Sequence, residues 1–302
     1  MDERQKEDLI RLCADKLIFN CPMAKYTTMG VGGKSEALYR ADDLDELRLV
    51  IAFLNSEHIP YILIGKGSNL LIKDNGLDGV AIMLRGSLSV IERNEGDAAV
   101  VAGAGLPLVE LIGFCRNLGL AGIECFAGIP GTVGGAVTMN AGAFGHEFGS
   151  RVEDIDIITR QGDVIRKARN QLIFYYRGLE IERGQVVVRA RINLEKDSKE
   201  AVAGRIADYL KRRSIGQPLD FPSAGSVFKN PPDHYAGRLI EEAGLKGKKI
   251  GGAMISEKHA NFIVNTGNAT AKDIIELIYF AQSKVRDRTG IELEPEIKIV
   301  GI

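Results

Sequence analysis

The sequence predicts an α+β protein with a domain boundary near residues 196–200. Up to this point glycine is dense and apolar strand patterns dominate. Beyond it, amphipathic helix patterns alternate with short apolar runs, most clearly in the long helix predicted from about 270 to 289. The segment 122–145, GIECFAGIPGTVGGAVTMNAGAFG, contains seven glycines and one proline, so it has few side chains that could fill a core.

Each predicted element follows from hydrophobic period and from residues suited to element ends. Helices are predicted where apolar residues recur three and four apart, and strands where they alternate or run together. Asp42 or Asp43 can cap the second helix, and Pro107 can open the third. The predicted order up to the boundary is helix 2–17, helix 44–58, three strands within 61–84, strand 97–105, helix 107–120, hairpin 152–167 turning at 161–163, and strand 186–194, after which helix 198–213 begins the second region.

Composition excludes several classes of function. The formal net charge of this 302-residue chain is −1, so no global field favours nucleic acid or an anionic membrane. No run of 18 apolar residues predicts a membrane span, and the charged N-terminus lacks an apolar signal core. The four cysteines lack CxxC spacing, which suits free thiols in a reducing cytoplasm. The four histidines are not spaced as metal ligands on a helix, so we expect no metal site.

Two glycine-containing loops are the strongest chemical signal. The first is GKGSN (65–69), which lies between two apolar strands, and the second is the segment 122–145. Glycine lets the main chain approach a ligand closely, and phosphate is the commonest ligand of such main-chain N–H groups. An ordinary turn is the alternative for residues 65–69. Together the loops predict a phosphate-bearing cofactor.

Two familiar nucleotide motifs do not fit. Gly32–Ser35 resembles the end of a P-loop, but Thr28 occupies the place of its first glycine. No GxGxxG sequence follows a predicted strand, so a Rossmann dinucleotide site is not predicted. Two glycine loops without either motif favour a flavin bound in another α+β scaffold.

Several polar side chains could carry chemistry, and each has a structural alternative. Ser226, in FPSAGSVFKNP (221–231), does not fit the hydrolase elbow, and it could be a nucleophile, an acid or a turn hydroxyl. Arg177, after three aromatic residues counted with Phe174, could clamp a carboxylate or lie on the surface. Glu296 precedes the last strand, where charged residues are common. His259, with the nearby Asn261 and Asn265, could contact a base or sugar, or could belong to a structural turn.

Seven segments in register resemble the UDP-N-acetylenolpyruvoylglucosamine reductases of bacterial peptidoglycan synthesis. The resemblance covers the chain from about residue 20 to its end. The matching segments are YTTMGVGG (26–33), GKGSNLLIKDNGLDG (65–79), the glycine-rich segment 122–145, FYYR (174–177), SAGSVFKNP (223–231), GGAMISEKHANFIVN (251–265) and LEPEIKIVG (293–301).

This resemblance implies a vanillyl-alcohol-oxidase (PCMH)-type FAD-binding module with two subdomains, 1–85 and 86–198, and a C-terminal α+β substrate domain, 199–302. It implies non-covalent FAD and NADPH as co-substrate. We expect these residues to bind the cofactor: Gly65, Gly67, Ser68, Asn69, Pro130, Gly131, Thr132, Gly134, Gly135, Asn140 and Gly142.

The resemblance also implies roles at the reacting group. NADPH would reduce FAD, and a hydride would then pass to the methylene carbon of the enolpyruvyl sugar nucleotide. Ser226 matches the family's proton donor, and Arg177 and Glu296 match its other catalytic residues. The uridine diphosphate would contact residues at three positions, Asn230, His259 and Arg213.

Two features place the chain within this resemblance. The interval between Arg177 and Ser226 is short, as in the class that lacks the substrate-capping loop and its tyrosine. The family commonly reads YRxS around its arginine, whereas here Arg177 is followed by Gly178 and Leu179.

Two alternatives have different chemistry. One is another PCMH-type flavin oxidoreductase that acts on a small hydroxy compound and carries covalent flavin, for which Cys125 and His146 are the nearest candidates. The other is a non-catalytic protein that binds flavin or a uridine nucleotide. We expect a cytoplasmic monomer that binds a UDP-sugar, with no nucleic acid or membrane partner, and that serves cell-wall synthesis and thereby cell shape and division.

Overall fold

The computed structural model describes residues 1–93 and 96–302. It is an α+β structure. The helices are α1 (Glu3–Cys13), α2 (Leu44–Ser56), α3 (Leu108–Leu118), α4 (Val133–Thr138), α5 (Lys199–Gly216), α6 (Ala236–Glu242) and α7 (Ala271–Thr289). The strands are β1 (Leu17–Pro22), β2 (Lys34–Ala41), β3 (Tyr61–Leu63), β4 (Leu70–Ile72), β5 (Leu77–Leu84), β6 (Ile91–Glu92), β7 (Val100–Gly103), β8 (Leu120–Ala121), β9 (Gly142–Ala143), β10 (His146–Glu147), β11 (Val152–Ile158), β12 (Val164–Ala168), β13 (Phe174–Tyr175), β14 (Gly178–Leu179), β15 (Val186–Ile192), β16 (Glu195–Lys196), β17 (Lys249–Ile250), β18 (Ala253–Ile255), β19 (Ile263–Asn265) and β20 (Lys298–Val300).

The chain divides into two compact units that are not contiguous in sequence. The first unit contains 1–19, 36–66 and 79–211, and the second contains 20–35, 67–78 and 212–302. Two short N-terminal segments therefore belong with the C-terminal third. Sequence patterns predict only contiguous domains, so the proposed division at 85 and 198 differs from this arrangement and stays a prediction.

The two larger sheets described in the first unit each pack against a hydrophobic core. One sheet has the strand order β1-β2-β5-β3 and the other β12-β11-β15-β7-β6. Residues such as Leu47 and Ile51 of α2 pack in the first core, and Phe126 and Phe148 pack in the second. The first of these cores also contains Leu88, Ile158, Val186 and Val188, so it includes residues from both sides of position 85.

Local signals in the sequence set the ends of several elements. Asp43 caps α2, because its carboxylate accepts a hydrogen bond from the Glu46 N–H at 2.9 Å. Gly119 ends α3 in the left-handed conformation, with φ 63°. The predicted hairpin is formed by β11 and β12, which pair antiparallel with Ile158 opposite Val164. The first helix is shorter than predicted, because the chain enters β1 at Leu17.

The second unit combines C-terminal elements with a strand from the N-terminal half. Strands β17, β18 and β19 form an antiparallel sheet, whereas β4 pairs in parallel with β20, with Leu70 opposite Lys298. Asp74, just after β4, accepts hydrogen bonds at 2.9 Å from the N–H groups of Ala271 and Lys272 at the start of α7. These long-range contacts explain why residues 67–78 belong to this unit.

Among the described residues, no helix is both long enough and apolar enough to cross a bilayer.

Candidate active site

Ser226 lies on a segment that main-chain hydrogen bonds hold on two sides. The Val227 N–H donates to the carbonyl of Asn261 at 2.8 Å, and the Val227 carbonyl accepts from the Glu296 N–H at 2.7 Å. One residue further along, the Lys229 N–H donates to the Glu294 carbonyl at 2.9 Å. The second unit therefore brings Ser226 and Glu296 together, and both residues are half-buried.

Asn261 fixes this segment through its side chain as well. Its Oδ1 accepts from the Phe228 N–H at 3.0 Å, and its Nδ2 donates to the Phe228 carbonyl at 2.8 Å. Asn261 is only 4% exposed. The sequence suggested a base or sugar contact for this residue, but its amide binds the segment that carries Ser226.

The first predicted cofactor loop is joined to the Glu296 segment. The Asn69 Nδ2 donates to the Glu296 carbonyl at 3.2 Å, and the Lys298 N–H donates to the Asn69 carbonyl at 3.0 Å. These bonds extend the parallel pairing of β4 and β20 to Asn69, the residue just before β4. A loop predicted to hold phosphate and a carboxylate predicted to be catalytic therefore share one structural support.

The motif YTTMGVGG, to which the sequence assigned no role, links two parts of the second unit. The Thr28 N–H donates to the Gly67 carbonyl at 3.3 Å, and the Thr28 Oγ1 donates to the Ser223 carbonyl at 2.7 Å. Gly67 has φ 62°, and a Cβ there would overlap the Tyr26 carbonyl oxygen. Glycine at 67 is thus required by both backbone conformation and space.

In the first unit, the two predicted cofactor loops touch. A Cβ added at Gly65 would lie 2.5 Å from the Oγ1 of Thr132. Thr132 caps α4, and its Oγ1 accepts from the Gly135 N–H at 3.4 Å. Thr132 therefore leaves no room for a side chain at 65, and the two loops lie directly against each other, which suits a cofactor whose diphosphate is bound by main-chain atoms.

Gly134 has a packing role. Its N–H donates to the Ala104 carbonyl at 2.8 Å, and a Cβ at this position would lie 2.8 Å from the Ala104 Cβ. Leu108 similarly donates its N–H to the Gly131 carbonyl at 2.9 Å. Glycine at 134 therefore lets α4 lie against the end of β7, which helps to fix the loop that precedes the helix.

A buried carboxylate anchors the start of the glycine-rich segment. Glu124 is 6% exposed, and it accepts hydrogen bonds from the Gly122 N–H at 2.7 Å and from the Arg205 Nε at 2.9 Å. Arg205, on α5, also pairs with Asp197 at 2.7 Å. Because a buried charge is stable only when paired, this contact ties the glycine-rich segment to α5.

Arg177 belongs to the first unit, where its side chain lies against Gly142 and Gly178 follows it in sequence. Its backbone is left-handed, with φ 64°, and its Cζ lies 4.6 Å from the centroid of the Tyr176 ring. A Cβ at Gly142 would overlap the Nη1 of Arg177 and lie 2.9 Å from its Cζ. At Gly178, a Cβ would overlap the ring of Tyr175. The glycine that follows Arg177 in this chain is thus explained by the packing of Tyr175.

Asn140 holds the loop next to Arg177. It is fully buried, and its Nδ2 donates to the Tyr175 carbonyl at 3.0 Å and to the Glu147 Oε2 at 2.9 Å. Its Oδ1 accepts from the Gly149 N–H at 2.9 Å. The side chain of Asn140 is thereby used inside the protein, and a cofactor contact at this position would involve its main chain.

Asn230 and His259 both lie near the start of α6. The Asn230 Oδ1 accepts from the Ala236 N–H at 3.0 Å, and a Cβ at Gly237 would lie 3.2 Å from the Cε1 of His259. The His259 Nδ1 accepts from the Asn261 N–H at 3.2 Å. Burial lowers the pKa of His259, because imidazolium loses hydration there, so the ring is neutral at pH 7.

Two further candidate residues, Arg213 and Asn265, are also buried. Arg213 is 8% exposed on α5, and its Nη1 donates to the Oε1 of Gln217 one turn later at 3.3 Å. Asn265 is 6% exposed, and its Nδ2 donates to the Met29 carbonyl at 3.1 Å. These contacts support a structural role for Asn261 and Asn265, which is one of the two roles that the sequence left open.

Comparisons with known proteins identify the class to which this fold and site belong. Residues 35–167 match a family model described as an FAD binding domain. Residues 217–300 match the model for the C-terminal domain of UDP-N-acetylenolpyruvoylglucosamine reductase. The chain is therefore an FAD-dependent oxidoreductase with the predicted PCMH-type α+β fold.

Relatives along the whole chain define the family. A UDP-N-acetylenolpyruvoylglucosamine reductase of Syntrophus aciditrophicus is 43% identical over 98% of this chain and 96% of its own length. That of Caldanaerobacter subterraneus is 43% identical over 95% and 94%. The crystal structure of the enzyme from Thermus caldophilus superposes with a TM-score of 0.81 at 37% identity, covering 94% of this chain and 98% of that one. The chain belongs to the UDP-N-acetylenolpyruvoylglucosamine reductase family.

Proposed function

We propose that this protein uses NADPH to reduce the enolpyruvyl group of UDP-N-acetylglucosamine enolpyruvate, which gives UDP-N-acetylmuramate for peptidoglycan synthesis. The observation that carries the proposal is the shared support of Ser226, Glu296 and Asn69 in a chain that is 43% identical to named reductases over nearly its whole length. Fold alone would leave the substrate open, because one fold can host many reactions.

FAD would be held by the two glycine loops. The contact between Gly65 and Thr132 favours this assignment, because it brings the main chains of the two loops close together. We assign to this site the loop residues Gly65, Gly67, Ser68, Asn69, Pro130, Gly131, Thr132, Gly134, Gly135, Asn140 and Gly142, with Gly134, Asn140 and Gly142 acting through packing and not through contact with the cofactor. When bound between these loops, FAD would supply hydride transfer from NADPH to the methylene carbon of the substrate.

Arg177 stabilises the charge that hydride addition places on the substrate. Addition at the methylene carbon pushes electron density toward the neighbouring carboxylate, and a guanidinium held nearby lowers the energy of that enolate-like species. Removal of one such preorganised donor typically slows catalysis about 100- to 1000-fold.

Ser226 gives a proton to the carbon next to the carboxylate. A serine hydroxyl is a weak acid, so this transfer requires a strongly basic carbon and a fixed donor position. The hydrogen bonds that hold Val227 on both sides supply the fixed position. Glu296 acts beside Ser226 on the substrate carboxylate or its proton supply, and the bond between the Glu296 N–H and Val227 couples the two residues.

The uridine diphosphate part would be bound by Asn230, His259 and Arg213. The proximity of Asn230 and His259 to the start of α6 supports a common ligand for these two. A neutral His259 donates a hydrogen bond from Nε2, since its Nδ1 already accepts one from the Asn261 N–H.

We further propose that the protein works as a monomer in the cytoplasm, without nucleic acid, and that it affects cell shape and division through the cell wall. The four buried free cysteines suit a reducing compartment. Light scattering of the purified protein tests the oligomeric state.

Mass spectrometry tests the reaction. The purified protein, NADPH and the enolpyruvyl sugar nucleotide should give a product heavier by two hydrogens, and the activity should vanish when FAD is removed and return when FAD is added. Turnover of lactate-like hydroxy acids instead, with flavin that stays attached after denaturation, would identify a different PCMH-type oxidoreductase. Binding of flavin and nucleotide without turnover of either substrate would identify a binding protein.

A further inference from the structure

We propose that Gly142 is a positioning residue for Arg177, which rests on the role of Arg177 in the proposed function. The space where a Cβ of residue 142 would lie is occupied by the guanidinium: a methyl there would overlap Nη1 and lie 2.9 Å from Cζ and 3.2 Å from Nη2. Gly142 thus leaves a space beside its Cα that the guanidinium occupies, and any other amino acid at this position would fill that space with its Cβ.

The conflict at Gly142 differs from most close glycine contacts in this chain. Gly142 is not in the left-handed region, so alanine is compatible with its backbone. Its neighbour is the far end of a long, flexible side chain, whereas at Gly67 a Cβ would meet a main-chain carbonyl. The methyl of Gly142→Ala would therefore move the guanidinium at little cost in stability.

Strand pairing and hydrogen bonds hold Gly142 in place relative to the backbone of Arg177. Gly142 lies in β9, which pairs with β10 with Gly142 opposite Glu147. Asn140, two residues earlier, binds both Glu147 and the carbonyl of Tyr175, which lies two residues before Arg177. The buried amide of Asn140 therefore connects β10, the partner strand of β9, to the backbone that leads to Arg177.

Four variants test the proposal: Gly142→Ala, Arg177→Ala, Arg177→Lys and the double variant Gly142→Ala with Arg177→Lys. Stopped-flow absorbance follows flavin reduction by NADPH and flavin reoxidation by the enolpyruvyl sugar nucleotide separately. Gly142→Ala should slow reoxidation about 100-fold, as a displacement of about 1 Å can do. Flavin reduction and FAD affinity should stay at the wild-type values.

The double variant separates positioning from general damage. A lysine at 177 lacks the broad guanidinium, so adding Gly142→Ala to Arg177→Lys should slow reoxidation by much less than it slows the wild type. Gly113→Ala is the matched control, because a Cβ at Gly113 meets no atom within 4 Å and α3 tolerates alanine. A crystal structure of Gly142→Ala gives a readout independent of activity, namely a displaced guanidinium at 177.

Each outcome decides one question. Slow reoxidation in Arg177→Ala with wild-type rates in Gly142→Ala, or an unmoved guanidinium in the crystal, would overturn the positioning role alone. Equal slowing by Gly142→Ala in the wild-type and Arg177→Lys backgrounds would do the same. Loss of FAD affinity in Gly142→Ala would overturn the positioning role and show that Gly142 contacts the cofactor directly. Wild-type reoxidation in Arg177→Ala would reject the proposed role of Arg177, and with it the inference.

Discussion

The second unit joins the segments of its catalytic candidates through main-chain hydrogen bonds, whereas in the first unit the guanidinium of Arg177 occupies the place that a side chain at residue 142 would take. Ser226 and Glu296 lie on segments joined through Val227, and Asn261 adds two further bonds at Phe228. Arg177 lies against Gly142, and the ring of Tyr175 lies against Gly178.

This difference decides which substitutions each region tolerates. A frame made of main-chain bonds survives the loss of a side chain such as the Ser226 hydroxyl, so the effect of that loss is chemical. The place of the Arg177 guanidinium depends on the absence of a side chain at residue 142. One added methyl group would therefore displace it, even where stability changes little.

The largest expected effect is that of Ser226→Ala. It removes the proposed proton donor while the bonds of Val227 remain, so flavin reoxidation by substrate should slow about 100- to 10,000-fold. Flavin reduction by NADPH should be unchanged in the same stopped-flow experiment. Ser223→Ala in the same segment is the control, and equal slowing of both half-reactions would contradict the assignment.

Gly65→Ala tests whether the close contact between Gly65 and Thr132 is needed for FAD binding. Its Cβ would lie 2.5 Å from Thr132 Oγ1, and overpacking of this kind costs about 1–3 kcal/mol. If that free energy is lost from FAD binding, the FAD Kd should rise about 10- to 100-fold. Fluorescence titration of the apoprotein with FAD measures this Kd. An unchanged Kd would place the diphosphate away from the contact between Gly65 and Thr132.

Asn261→Leu should weaken the hydrogen-bonded frame itself. It leaves the buried N–H and carbonyl of Phe228 without their partners, which should lower the free energy of unfolding by about 2–4 kcal/mol. Urea denaturation measures this change, with the exposed Asn117→Leu as control. A loss no greater than that of the control would show that Asn261 does not hold the segment.

The smallest expected effect is the pH dependence contributed by His259. Its pKa is lowered from 6.5 in the fold by burial, so the unfolded chain takes up the proton first as pH falls. Its stabilising contribution is therefore complete above pH 6.5 and is lost as pH falls through the lowered pKa. His259→Gln should flatten the slope of unfolding free energy against pH in that range, and an unaltered slope would contradict the shift.

The sequence predicted most of the local structure, because period and capping residues act over short distances. The cap at Asp43, the hairpin at 161–163 and the helix opened by Pro107 are all confirmed. The PCMH-type fold and the family, which follow from seven segments in register, are confirmed by the relatives and the Thermus caldophilus structure.

Contacts between distant residues could not be predicted from local patterns. The pairing of β4 with β20 brings Asn69 to Glu296, and nothing in either segment alone indicates it. The same is true of glycines: Gly142 was assigned to the cofactor because glycines often face phosphate, yet its closest neighbour is the side chain of Arg177. The individual site residues therefore stay predictions, with neighbours now identified for each proposed test.

One measurement tests the proposed reaction most directly. The purified protein, loaded with FAD and reduced by NADPH without oxygen, is mixed with the enolpyruvyl sugar nucleotide while the flavin absorbance is recorded. The oxidised flavin spectrum should return in a single turnover, with formation of the reduced sugar nucleotide. A flavin that stays bleached until air is admitted would contradict the proposed function.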